Sequence, residues 1–125
     1  MTLHRMNVDD AVAFADHVAA SDRRLIVMMA SSLSSIGNTW QAGRYAYRTS
    51  KAALNMLMRG VGAWLEPRDV TVVSVAPGWT RTELGGPHAH HGVEEAIQRV
   101  RALLERLTID DSGSYWNYDG RHLPW

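Results

Sequence analysis

Val70-Thr-Val-Val-Ser-Val-Ala-Pro-Gly78 is the stretch on which the fold turns. Val70–Ala76 carries no charge and is rich in β-branched residues, the composition of a strand covered on both faces. Pro77-Gly78 then stops it, because proline lacks an N–H and glycine turns freely. A second run of this kind, Leu25-Ile-Val-Met-Met-Ala30, lies upstream. Between the two, Arg44–Leu65 reads as one long helix closed by Pro67. Strands joined through a helical crossover pair in parallel, so the two runs are expected side by side in a parallel sheet.

The remaining chain extends the alternation. Asn7–Ala20 reads as a helix with Val8, Val12, Ala15, Val18 and Ala19 near one face, and with Asn7 or Asp9 available as cap. Ser31–Gly43 is a polar loop, and Trp79–Gly92 a second loop holding three glycines and three histidines. Val93–Leu107 is an amphipathic helix with Val93, Ile97, Val100, Leu104 and Leu107 at helical spacing. Asp110–Gly113 turns the chain into a short strand, Ser114–Tyr118. The order helix, strand, helix, strand, helix, strand predicts an α/β protein with helices on both faces of a parallel sheet. Residues 25–30, 70–76 and 114–118 are its expected neighbouring strands.

Composition narrows the function. The 125 residues suit one domain, and 46% are hydrophobic, enough for a core. Lys plus Arg equals Asp plus Glu at 13 each, which gives no reason to expect nucleic acid or an anionic membrane as partner. With no cysteine, disulfide frameworks and thiolate metal sites are excluded. No apolar run approaches the ~20 residues of a membrane helix, and Met1–Asp10 lacks the basic-then-apolar order of a signal peptide. A soluble cytoplasmic protein is the expectation. The five tryptophans read as buried anchors, and Met56 and Met58 as core or interface filler.

In open parallel sheets, ligands bind beyond the C-terminal ends of the strands. Ser31-Ser32, Pro77-Gly78 and the start of the helix carrying Tyr47 all fall there. Tyr47 and Lys51 are four apart on that helix, hence on one face. An ammonium beside a phenol favours the phenolate, which a tyrosine needs in order to act as general acid or base. The pair alone is a weak signal, since surface Tyr–Lys pairs are common on helices. His88-Ala-His-His91 has a spacing that can chelate a divalent ion, but no carboxylate pattern completes a site, so a solvated loop without metal is expected.

Taken together, these segments resemble the short-chain dehydrogenase/reductase family. Tyr45-Ala-Tyr-Arg-Thr-Ser-Lys-Ala-Ala-Leu-Asn55 resembles its active-site helix, and the strand ending in Ser31-Ser32 its serine-bearing strand. Pro77-Gly-Trp-Thr-Arg-Thr82 resembles the loop that lies over the nicotinamide. The tail from Asp111 to Trp125 is similar to the end of its carbonyl-reductase-like subgroup, the C-signal and sniffer type. The resemblance implies an NAD(P)-dependent oxidoreductase, using NADP or NAD, that moves hydride between the nicotinamide and a small-molecule carbonyl or alcohol. Tyr47 would then be the proton donor, and Lys51 would lower its pKa and bond the nicotinamide ribose. A serine would hold the carbonyl oxygen: the strand end points to Ser32, the commonest family spacing to Ser34, and Ser32 is favoured. Asn7 would position a water in a proton relay, or else simply cap its helix. Pro77, Gly78, Trp79, Thr80 and Thr82 would contact the cofactor together with Tyr47 and Lys51.

The family's Gly-rich pyrophosphate turn should precede residue 7, yet the ten glycines begin only at Gly37. The expected architecture is therefore one partial catalytic domain over 1–125, a partial Rossmann-like three-layer sandwich with the N-terminal nucleotide-binding half missing. Two readings follow: an oxidoreductase presented as a truncated chain, or an inactive fragment serving at most as an assembly or interaction module. The family's two long helices, here near Asn7–Ala20 and Arg44–Leu65, imply a homo-oligomer if the full domain is present.

Overall fold

The computed structural model describes residues 8–125. Helix α1 (Val8–Ala19) leads into strand β1 (Leu25–Met29), helix α2 (Tyr45–Leu65), strand β2 (Thr71–Ala76), helix α3 (Val93–Arg106) and strand β3 (Tyr115–Asn117). The three strands form one parallel sheet in the order β1-β2-β3, as the two apolar runs and their crossover predict. Leu25 lies opposite Thr71 and Met29 opposite Val75, while Ser74 lies opposite Tyr115 and Ala76 opposite Asn117. Asn7 lies outside the described residues, so its expected role has no structural counterpart.

The sheet separates two apolar layers. On one face Ile26 and Val72 meet Ala15, Val18, Met58 and Leu65 of the helices α1 and α2. On the other, Val73, Val75 and Trp116 meet Val100 and Leu103 of α3. Neighbouring strand residues point to opposite faces, so a central strand between two helical layers must be apolar throughout. β2 is that strand, and all six of its residues are buried. Each of its fully buried valines contributes about 1.5–3 kcal/mol by leaving water. β1, the other apolar run, lies at the edge of the described sheet, where Ile26 alone is buried and Met29 is exposed.

Helix α2 starts from two consecutive left-handed residues, Gly43 (φ 99°) and Arg44 (φ 55°), which swing the chain sharply into the helix. It ends where Pro67 enters a short 3-10 turn, Glu66–Arg68, because proline denies the helix a donor and crowds the preceding turn. Left-handed Asp69 then reverses the chain into β2.

Two expectations about burial are corrected. The inward face of α3 is Ala96, Val100 and Leu103, whereas Val93 and Ile97 are each about half exposed. The apolar arc of this helix is wider than the strip the sheet covers, and the small Ala96 marks the side of closest approach. Of the five tryptophans only Trp116 is buried; Trp40, Trp64, Trp79 and Trp125 are exposed. These four sit on loops, the outer side of α2 and the tail, where no second layer covers them. Met58 is core, and Met56 stands on the outer face of α2.

Candidate active site

A cleft of about 640 Å3 opens where β1 and β2 end. Its floor is the serine turn, Ala30–Leu33; one wall is Tyr47 with Arg44 at the helix entrance, and the other is the loop from Pro77 to Gly85. The sequence-predicted residues Ser32, Tyr47, Pro77, Gly78, Trp79, Thr80 and Thr82 all line it. Among its lining residues Arg44 carries the single charge.

Tyr47 is half-buried in the first turn of α2. One turn on, the Lys51 ammonium donates to the Met29 carbonyl at 2.8 Å. Lys51 thus ties the helix to the last residue of β1, and an ammonium has two further protons for other acceptors.

The serine turn separates the candidates. Ser32 is exposed at the start of a 3-10 turn, Ser32–Ser34, that begins on the cleft floor. Ser31, which the sequence did not weigh against Ser32, also lines the cleft, and its hydroxyl oxygen accepts the Leu33 N–H at 3.3 Å. Ser34 turns the other way. It is 3% exposed, donates to the Ser31 carbonyl at 2.6 Å and accepts from Asn55 Nδ2 at 3.0 Å. Tyr115 lies 3.0 Å from the Ser34 hydroxyl and also donates to the Ser31 carbonyl. Burial pushes the Tyr115 phenol above its ordinary value of about 10, against the opposing pull of hydrogen bonds from Ser34 and Asn55.

The loop after β2 is built around its backbone. Gly78 has φ 84°, and a Cβ there would meet Tyr118 Cε1 at 2.8 Å, so glycine is required twice over. Trp79 Nε1 donates to the Gly85 carbonyl at 2.8 Å, and the Gly85 N–H donates to Thr82 Oγ1 at 3.0 Å. Thr80 pairs with His91 in a short parallel bridge. Of the three histidines of this loop, His88 and His90 are exposed, as expected of a solvated loop, while His91 is partly buried. His90 stands edge-on to Trp79 at 5.0 Å, and His91 leans on Tyr118 at 4.8 Å, with Glu95 3.5 Å from its Nδ1. Among the described residues no three His, Cys, Asp or Glu side chains converge as metal ligands.

The cleft therefore unites one phenol, small hydroxyls, an arginine and an apolar rim of Leu33, Trp79 and Leu84, with no carboxylate among its lining residues. It can donate protons and hydrogen bonds to an oxygen, and it has no acidic pair for hydrolytic chemistry. Sequence reasoning gave no role to Asn55 or Arg44, and it placed Ser31 at the binding edge without weighing it against Ser32. Asn55 had a signal, since Tyr47, Lys51 and Asn55 recur every four residues and share one helix face.

Comparison with known proteins shows the family and the fold. The sequence profile of the short chain dehydrogenase family matches residues 8–92. C-signal of Myxococcus xanthus is 33% identical over 102 residues, spanning 82% of this chain and 61% of that protein. 1-Hydroxy-2-glutathionyl-2-methyl-3-butene dehydrogenase of Rhodococcus sp. (strain AD45) is 31% identical over 78% of this chain and 45% of its own length. Among solved structures, carbonyl reductase Sniffer of D. melanogaster superposes with a TM-score of 0.85 at 30% identity, covering 94% of this chain and 50% of that one. An NADPH-bound carbonyl reductase from chicken fatty liver gives 0.82 at 29% identity, covering 93% and 51%. The chain thus spans about half to three-fifths of the length of these relatives. The chain belongs to the short-chain dehydrogenase family, and among solved structures it is similar to carbonyl reductases.

Proposed function

We propose that this chain is the proton-transfer half of an NADP-dependent carbonyl reductase, with NAD as the alternative cofactor. The observation that carries the reading is the meeting of Tyr47, the serine turn and the Pro77–Thr82 loop at one cleft. These residues fit the nicotinamide end of a dinucleotide: Tyr47 on one wall and Thr80 and Thr82 on the other offer hydroxyls, and Lys51, which does not line the cleft, lies one turn behind Tyr47 with protons beyond the one given to Met29. When bound, the cofactor supplies or accepts the hydride.

The chain's own residues do the rest. Tyr47 donates its hydroxyl proton to the carbonyl oxygen during reduction and takes it back during oxidation. Lys51, one turn along the same face of α2, is the residue assigned to support that proton transfer. The carbonyl oxygen is held by the Ser31–Ser32 pair. Ser32 is the residue the sequence favours, and Ser31 has the better-held hydroxyl. Alanine at each position separates them, since the serine that bonds the developing oxyanion loses about 100-fold or more in kcat. A water relayed through Asn7 belongs to the same proposal.

Dinucleotide affinity resides largely in pyrophosphate and adenosine contacts, for which these residues offer no Gly-rich turn. The 125 residues alone are therefore expected to consume no NADPH with a panel of aldehydes and ketones. Joined to a nucleotide-binding half they should turn over, and Tyr47→Phe should abolish that turnover. Tyr47-dependent reduction by the 125 residues alone would show that the cofactor is held differently. Association with a second copy is proposed through the outer face of α2, where Met56, Leu57 and Trp64 are exposed. Sedimentation of Leu57→Glu against the parent tests it. No described helix is long and apolar enough to cross a membrane.

A further inference from the structure

We propose that Asn55, Ser34 and Tyr115 form a buried polar scaffold whose task is to position the serine turn against Tyr47. The inference rests on the reading of the cleft as a reductase site and adds positioning residues to it.

The three side chains come from three elements, the turn after β1, α2 and β3, and each is almost completely buried: Ser34 3%, Asn55 4% and Tyr115 1% exposed. The Ser34 and Tyr115 hydroxyls converge on one atom of the turn, the Ser31 carbonyl oxygen, and Asn55 reaches it only through Ser34. Two hydroxyl protons serve three contacts: Ser34 to Ser31, Tyr115 to Ser31, and Ser34 with Tyr115. If Ser34 donates to Ser31, Tyr115 is free to donate to either oxygen. If Ser34 donates to Tyr115, then Tyr115 donates to Ser31. The carbonyl keeps a bond in every arrangement, and Asn55 supplies an amide proton to Ser34 throughout. The raised Tyr115 phenol keeps its proton across the neutral range, so the donor persists.

Placement gives the scaffold its purpose. Asn55 is two turns beyond Tyr47 on the face that also carries Lys51. Lys51 grips Met29 and Asn55 grips Ser34, so one rigid helix fixes the serine turn at both ends relative to its own Tyr47. Tyr115 anchors the turn to the sheet, where it pairs with Ser74, and its ring stacks on Trp125 at 5.4 Å. The tail adds a second hold, with the Gly37 N–H donating to the Trp125 carbonyl at 2.6 Å and Ser35 Oγ to the Pro124 carbonyl. A hydroxyl that must meet a carbonyl oxygen within hydrogen-bond reach needs support of this kind, because a misplacement of about 1 Å can cost about 100-fold in rate.

The test compares Ser34→Ala, Asn55→Leu and Tyr115→Phe with the conservative Ser34→Thr, all in a fusion of the chain to the nucleotide-binding half of a short-chain dehydrogenase. The first three are expected to lower kcat by about 10- to 100-fold, to leave the KM for NADPH within about twofold, and to speed hydrogen exchange at the Ser34 and Ser35 amides by about 10-fold or more. The amides of Val73 and Val75 should keep the parent rates, and Ser34→Thr, which keeps the hydroxyl, should restore both turnover and protection. Should Tyr47→Phe abolish turnover while all three variants keep kcat within about twofold, the scaffold proposal is overturned and the reductase reading stands. If instead Tyr47→Phe leaves turnover intact, the reductase reading fails, and unchanged exchange at Ser34 and Ser35 would overturn the scaffold on its own. Should Asn55→Leu fail to fold, Tyr115→Phe, which deletes a single oxygen, carries the test.

Discussion

Replacing Gly78 with alanine should destabilise the protein by about 2–5 kcal/mol, from two separable costs. The first is backbone strain, since the residue sits at φ 84°, where a side chain costs about 1–2 kcal/mol. The second is overlap. The new methyl would lie 2.8 and 2.9 Å from the Tyr118 ring and 3.2 Å from His91, and crowding in a packed site costs about 1–3 kcal/mol. The ring has little freedom to move aside, because the Tyr118 N–H is bonded to the Ala76 carbonyl at 2.8 Å and Arg99 lies 5.4 Å over the ring. Urea unfolding of Gly78→Ala, Tyr118→Ala and the double variant separates the costs. With the ring gone the overlap with Tyr118 vanishes and only the looser approach to His91 remains, so the two substitutions should be non-additive by about 0.5–3 kcal/mol. A Gly78→Ala protein within about 0.5 kcal/mol of the parent, or strict additivity in the cycle, would refute the reasoning.

Met58, fully buried between α2 and the sheet, should cost about 2–5 kcal/mol on Met58→Ala, read as a shift in the urea midpoint. The Arg68–Asp16 pair, at 2.8 Å but well exposed on both sides, should by contrast contribute less than about 1 kcal/mol, so Asp16→Ala should barely move the melt. Tyr115 makes stability depend on alkali. Its phenol is raised in the fold, so the unfolded chain loses the proton first; the contribution is complete below about pH 10 and is lost as pH rises through the folded value. Tyr115→Phe should remove that component of an alkaline unfolding titration, and an unchanged titration would show that another group carries it.

The sheet, the long helix and the cleft wall after β2 were legible in the sequence because each leaves a local mark. Apolar runs of strand length, the four-residue spacing of Tyr47 and Lys51 and the Pro77-Gly78 stop are all visible within a few residues. The inward face of α3 was not, because Val93, Ala96, Ile97, Val100 and Leu103 offer two overlapping stripes, and only the position of the sheet chooses between them. Nor was the fate of the serines. Ser31, Ser32 and Ser34 are chemically alike, and what distinguishes them is whether Asn55 and Tyr115 are near. That information lies in contacts between distant parts of the chain, which spacing does not encode.

The bonds that fasten the serine turn also set the order of assembly. Helix α2 can form from local contacts, whereas the turn is held by partners far along the chain: Tyr115 is 84 residues from Ser31, and Pro124 is 89 from Ser35. Contacts of long sequence separation carry the entropy cost of closing large loops, so they form late and slow the search for the native state. The half of the cleft that carries Tyr47 can therefore be in place while the half that carries the serines is still loose. During synthesis the bonds from Tyr115 and Pro124 to the serine turn can form only after residues 115–125 have emerged, so this corner of the cleft depends on the last part of the chain for a share of its support.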